Sequence, residues 1–203
     1  LDAPNIRFLQ SPYALFNGDL MLAALTPSGD MRVLLGDFTG HGLPAAVGAM
    51  PLAEVFYGMT AKGYGMAQVL REMNAKLKRI LPGDMFCCAL LVNLSMQRGA
   101  VEVWNGGMPD GFLLSSEGRV LSALVSRHLP LGVLSAEQFD DQTEVWPLAP
   151  GERLLLMSDG VLETADDQER LFGEQRLRAV LADNRNPALL FDELLDALQR
   201  FGG

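Results

Sequence analysis

The sequence predicts an α+β fold with mostly antiparallel sheets. Three observations lead there. Short strand-like runs occur in neighbouring pairs joined by tight turns, helical stretches come in blocks after the first hairpin and at the end, and no strand–helix–strand alternation runs through the chain.

The elements follow in order. DLMLAAL (19–25) and MRVLLGD (31–37) are short apolar runs separated by TPSG, a strong turn signal, and read as a hairpin. Residues 43–60 and 66–81 have helical spacing and few β-branched residues; Gly63 and Gly65 separate them, and Pro82-Gly83 ends the second. Pro51 lies inside the first and is expected to kink or divide it. Strands are predicted at 85–95, 100–104, 112–116 and 119–124, then an irregular stretch at 126–141. QTEVWPL and RLLLMSD (153–159) resume the strand pattern around the PGE turn at 150–152. FGEQRLRAVLADN carries an amphipathic stripe through Leu177, Val180 and Leu181, and Asn186-Pro187 reads as the capped start of a last helix running to Phe201. Met50, Met59 and Met66 read as core filling on the helices.

The 203 residues suit one domain, 1–203, and LDAPNIRF reads as a start inside a longer polypeptide. Lys and Arg total 16 against 25 Asp and Glu, a formal net charge of −9 that argues against nucleic acid or an anionic membrane as partner. No apolar run approaches the roughly 20 residues of a membrane span, and no signal peptide opens the chain. Cys87 and Cys88 are adjacent on a strand and point to opposite faces, so they read as free thiols in a reducing, cytoplasmic setting.

GDFTGHG lacks the Lys and spacing of a phosphate-binding P-loop, no G-x-S-x-G elbow is present, and neither of the two histidines has a partner at helical metal-binding spacing. Carboxylates remain. Asp19 starts the first strand, Asp37 ends the second, and Asp159 ends RLLLMS, each with a glycine beside it. One such residue is ordinarily a turn or cap. Three on strands that could be neighbours raise a second reading, in which a hard, oxygen-loving cation offsets the desolvation of carboxylates at apolar strand ends.

GDFTGHG-LPAA (36–46), NGGMP (105–109), LPLGVL (129–134), LAPGERLLLMSDGVLE (148–163) and RLFGEQRL (170–177) resemble, in order and spacing, one family. It is the SpoIIE-type (RsbU-like) bacterial branch of the PPM metal-dependent protein Ser/Thr phosphatases. The chain is also similar to the output domain of an RssB-like response regulator, which implies a receiver or sensor domain before Leu1 in the same polypeptide. The resemblance implies a central β-sandwich flanked by helices, with two Mn2+ or Mg2+ ions at one end. The family's bridging Asp maps onto Asp37, with the Phe38 backbone carbonyl as a ligand of one metal. The Asp of the family's SDG motif maps onto Asp159, a ligand of the other, and Asp19 corresponds to the acidic residue that holds metal-bound waters. Asp37 and Asp159 are thus the candidate catalytic residues; no substrate-binding residue is assigned. Water would attack phosphorus directly, without a phospho-enzyme. The substrate implied is phosphoserine or phosphothreonine on a STAS-type anti-sigma-factor antagonist, and a homodimer is an open arrangement.

Departures from the family pattern carry their own expectations. Eukaryotic relatives have a histidine two residues after the bridging Asp, where this chain has Thr39; His41 reads as a turn or capping residue, and His128 belongs to a loop. Met108 replaces the histidine of an NAGHP-like motif, which weakens a substrate role for that loop and leaves the metal site intact. The family's last metal-binding Asp follows the final helix, past RFGG, so in this chain alone the site is expected to be empty or singly occupied, with the Asp37-side metal the one that remains. Two rivals stand beside the phosphatase: a catalytically weak pseudophosphatase kept as a response-regulator adaptor, and a structural dimerisation module. Neither needs metal.

Overall fold

A computed structural model of the chain describes residues 6–9, 18–39, 43–184 and 186–203. In chain order the elements are β1 (Asp19–Leu25), β2 (Met31–Phe38), α1 (Leu43–Ala61), α2 (Met66–Ile80), β3 (Cys87–Ser95), β4 (Ala100–Gly106), β5 (Gly111–Leu114), β6 (Val120–Leu124), β7 (Glu144–Pro147), β8 (Arg153–Leu155), α3 (Gly160–Glu163), α4 (Gly173–Asp183) and α5 (Leu190–Gly202). Every pairing among these eight strands is antiparallel, as the meander-like spacing predicts. The chain divides into two compact units: one takes in the chain up to Met108 with Ser126–Leu148, the other Pro109–Val125 with Ala149–Gly203.

The first unit is a five-stranded sheet, order β1-β2-β3-β4-β7, with α1 and α2 on one face. Alternation along the strands dictates which face is covered. Leu34 and Phe38 of β2 and Ala89 and Leu91 of β3 point into a core shared with Leu52 and Phe56 of α1 and Leu70, Met73 and Leu77 of α2. The TPSG turn closes β1 to β2 with Gly29 at φ 83°, a left-handed conformation that glycine adopts freely. The stretch 126–141 is irregular but fastened: buried Asn74 of α2 accepts from Gly132 N–H at 2.9 Å and donates to Leu134 O at 3.1 Å. Neither cysteine is in a disulfide, and burial pushes the Cys87 thiol well above its ordinary pKa.

Three helical expectations need correction. α1 is not divided at Pro51: it runs as one helix from Leu43 to Ala61 with Pro51 inside it. Met66 is core and Met59 packs against it, whereas Met50 is 79% exposed, since α1 is apolar on all sides and cannot bury every side chain. Asn186-Pro187 forms a turn, with Ala188 N–H donating to Asn186 Oδ1 at 3.1 Å, and α5 begins only at Leu190.

The second unit is a three-stranded sheet, order β6-β5-β8, with α3, α4 and α5. Its own core joins Phe112 and Leu114 to Phe172, Leu177, Leu181, Leu190 and Leu194. The strand predicted at 153–159 stops at Leu155, because its partner β5 offers only Phe112–Leu114 for pairing. Asn184 ties α4 to α5 by donating to Asn186 O at 3.0 Å and Glu193 Oε2 at 2.6 Å. No helix among the described residues is long and apolar enough to cross a membrane.

Candidate functional site

The sequence puts an acidic residue at the start of β1 and another near the end of β2, and a tight hairpin makes them neighbours. Asp19 is the cross-strand partner of Asp37. The adjacent Phe38 N–H donates to Gly18 O at 3.1 Å. The Gly18–Phe38 rung is therefore hydrogen-bonded, and the Asp19–Asp37 rung is the closer, non-hydrogen-bonded kind. Both half-buried carboxylates leave the same face of the sheet, each with an oxygen within 4.8 Å of the other. Two ionised carboxylates at that spacing repel by about 3–4 kcal/mol at an effective dielectric of about 20. Like charges directly opposite on a sheet destabilise it, and a cation between them reverses the sign.

On its other side Asp37 pairs with Cys88, so Asp19, Asp37 and Cys88 form a row across three strands. Phe38, the last residue of β2, sends its ring to the opposite face, where it is 2% exposed beneath α1. Next along the chain, Thr39 is bound three times to one residue. Its N–H donates to Phe86 O at 3.0 Å, its hydroxyl donates to the same oxygen at 3.3 Å, and the hydroxyl oxygen accepts from Phe86 N–H at 3.0 Å. In the sequence Thr39 reads only as a substitution for histidine; spacing carries no trace of its partner, which lies 47 residues away.

Asp159 belongs to the second unit. It does not end a strand: β8 stops at Leu155, and Asp159 stands at the N-cap of the short α3, its carbonyl accepting from Glu163 N–H at 2.8 Å. Its side chain makes no capping hydrogen bond, so capping does not account for the carboxylate. His41, with Gly40 and Gly42 of the same motif, lies outside the described residues. His128 stacks on Trp104, with ring centroids 5.1 Å apart and planes at 11°, a packing role. Met108 is buried, its N–H donating to Asn105 Oδ1 at 3.1 Å.

The donor set suits a hard divalent cation. Asp19 and Asp37 supply carboxylate oxygens side by side, the ligand type of Mg2+ and Mn2+. The model of the Stage II sporulation protein E (SpoIIE) family matches residues 27–203. The chain belongs to the SpoIIE family. Phosphoserine phosphatase RsbU of Bacillus subtilis (strain 168) is 25% identical over 163 residues, covering 74% of this chain and 47% of that protein. The chain spans less than half the length of the curated relatives it matches. Among solved structures, the SiaA-PP2C domain of Pseudomonas aeruginosa is similar with a TM-score of 0.80 and 19% identity, over 96% of this chain and 78% of that one. RsbX in complex with magnesium has a TM-score of 0.69 at 12% identity, over 95% of this chain and 84% of that one. These likenesses establish the PP2C-type fold of this SpoIIE-family chain, the α+β architecture expected from its sequence.

Proposed function

We propose that this chain is a divalent-metal-dependent protein serine/threonine phosphatase acting on phosphoserine or phosphothreonine of a regulatory protein. The observation that carries the reading is the facing pair Asp19 and Asp37 in a SpoIIE-family chain. In this proposal Asp37 and Asp159 are side-chain ligands of two Mn2+ or Mg2+ ions, the Phe38 carbonyl is a further ligand, and Asp19 acts through water. Such ions supply positive charge to phosphoryl oxygens and lower the pKa of water.

The chain's own contribution is placement. Asp37 sits in a strand paired on both sides, with its rung to Asp19 fixing the distance between two negative groups. That rigidity means little rearrangement is needed when charge develops on a transferring phosphoryl group. What supports Asp159 is its place in the SDG motif and a carboxylate not used as a helix cap. The substrate we propose is a phosphorylated STAS-type protein, in keeping with the phosphoserine phosphatase RsbU as relative. An N-terminal regulatory domain of the same polypeptide and a homodimer belong to the same proposal.

The test is phosphate release from p-nitrophenyl phosphate and from a phosphorylated STAS protein, with Mn2+, with Mg2+ and with EDTA. Turnover with either ion and none with EDTA is expected. Turnover insensitive to chelation, or absent with every divalent ion, overturns the reading.

A further inference from the structure

We infer that Thr39 is a positioning residue for the proposed metal site, its hydroxyl closing the sheet ladder one residue beyond the Asp37–Phe38 segment. The inference rests on the metal-dependent reading above and adds to it a residue to which no role has been given.

A complete antiparallel rung of this kind is closed by two main-chain hydrogen bonds. At the Thr39–Phe86 rung one is present, from Thr39 N–H to Phe86 O at 3.0 Å. The second is made by the side chain: Phe86 N–H donates to Thr39 Oγ1 at 3.0 Å, where a regular ladder would use the Thr39 carbonyl. The hydroxyl then donates its own proton to Phe86 O at 3.3 Å. The hydroxyl can do both because one oxygen atom accepts and donates at once.

The substitution matters because the chain must leave the sheet quickly. Phe38 is the last strand residue and α1 begins at Leu43. A carbonyl held in the ladder would keep residue 39 extended; a hydroxyl on a side chain holds the same partner while the main chain turns. Phe38 is gripped on its other flank by its N–H bond to Gly18 O at 3.1 Å. The peptide carrying the proposed Phe38 ligand and the residue carrying the Asp37 ligand are thereby clamped between β1 and β3. With its proton and a lone pair engaged by Phe86, the hydroxyl holds the ligands in place rather than exchanging protons with substrate.

The test compares Thr39→Val, which keeps the shape and loses the hydroxyl, with Thr39→Ser, which keeps the hydroxyl. Mn2+ binding is measured by calorimetry on the full chain, and melting is measured without metal. Removing such outer-shell support costs about 10- to 100-fold in metal affinity, so Thr39→Val is expected to bind Mn2+ at least about tenfold more weakly. Thr39→Ser should stay within about twofold of wild type. A Thr39→Val protein that melts lower but binds Mn2+ as wild type does overturns the inference, since the hydroxyl then serves stability alone. Equal loss in Val and Ser also overturns it, by removing the hydroxyl as the cause. If the wild-type chain binds no Mn2+, the metal reading itself fails and Thr39 falls with it; unchanged binding in the variant, with wild type binding, sinks only Thr39.

Discussion

The Phe38 ring fills the space that a side chain on Gly48 would need. A Cβ at Gly48 would come within 2.4 Å of Phe38 Cε1 and 3.0 Å of Leu81 Cδ2. Helix α1 therefore lies close over the residue that follows Asp37, and the absence of a side chain permits it. Gly48→Ala sets two effects against each other. Alanine gains about 1 kcal/mol in helix propensity, while overpacking a buried ring costs about 1–3 kcal/mol. With Phe38 only 2% exposed and α1 packed on top, the ring has little room to yield, so the clash should prevail. The expected outcome is a fall in melting temperature, at roughly 2–4 °C per kcal/mol for a chain of this size. A variant that melts at or above wild type would show that α1 is not seated this closely.

Asp37→Asn separates ligand from scaffold. If Asp37 binds metal, the amide should cost orders of magnitude in Mn2+-dependent phosphate release. Without metal the protein should be as stable as wild type or more so, because one of two repelling carboxylates has gone. Asp159→Asn should lose activity to a similar degree. Thermal melts in EDTA provide the check. Unfolding of either metal-free variant would mark its Asp as a structural group.

Asp30 gives a pH prediction. Burial raises its carboxyl pKa, but hydrogen bonds from Ser95 and Asn93 and the Arg98 guanidinium 3.1 Å away outweigh burial and hold it below the usual carboxylate range. Asn93 passes the network on, accepting from buried Arg32 Nε at 3.3 Å, and Arg32 donates to Tyr64 O at 3.0 Å. A depressed folded-state pKa means stabilisation that is complete above the unfolded value of about 3.9 and lost as pH falls through the lower folded value. Wild type should therefore lose melting temperature more steeply below about pH 4 than Asp30→Asn does. Parallel curves for the two proteins would remove Asp30 from the acid transition.

These predictions draw on features of unequal legibility in the sequence. The β1–β2 hairpin was readable because a turn signal sat between two apolar runs, and its symmetry about TPSG brings Asp19 opposite Asp37. The end of β8 was not: Leu156 and Met157 are as apolar as Leu154 and Leu155 before them, and the strand stops for want of a partner, a fact written in β5. Asp159 thus kept its place in the motif while its setting changed from strand end to helix cap. The outward turn of Met50 was hidden by the uniform apolarity of α1, which offers no periodicity to separate inside from outside. Thr39 was hidden because its partner is distant in sequence and uses only main-chain atoms.

Metal should act on stability as well as on activity. Any ligand that binds the folded chain and not the unfolded one stabilises it by RT ln(1 + [L]/Kd), about 2.7 kcal/mol at a hundredfold excess over Kd. The unfolded chain separates Asp19 from Asp37 and holds no such pair, so the stabilisation belongs to the β1–β2 rung that brings them within 4.8 Å. Mn2+ should raise the melting temperature of the wild-type chain by roughly 5–10 °C at that excess, with a shift that grows with the logarithm of concentration. EDTA should abolish the shift, and Asp37→Asn should show little of it at any Mn2+ concentration. An Asp19→Asn protein should retain part of the shift, because in the proposed arrangement Asp19 reaches the metal through water. Equal Mn2+ shifts in wild type and Asp37→Asn would place the ion elsewhere on this acidic surface, and the facing carboxylates would then need another explanation.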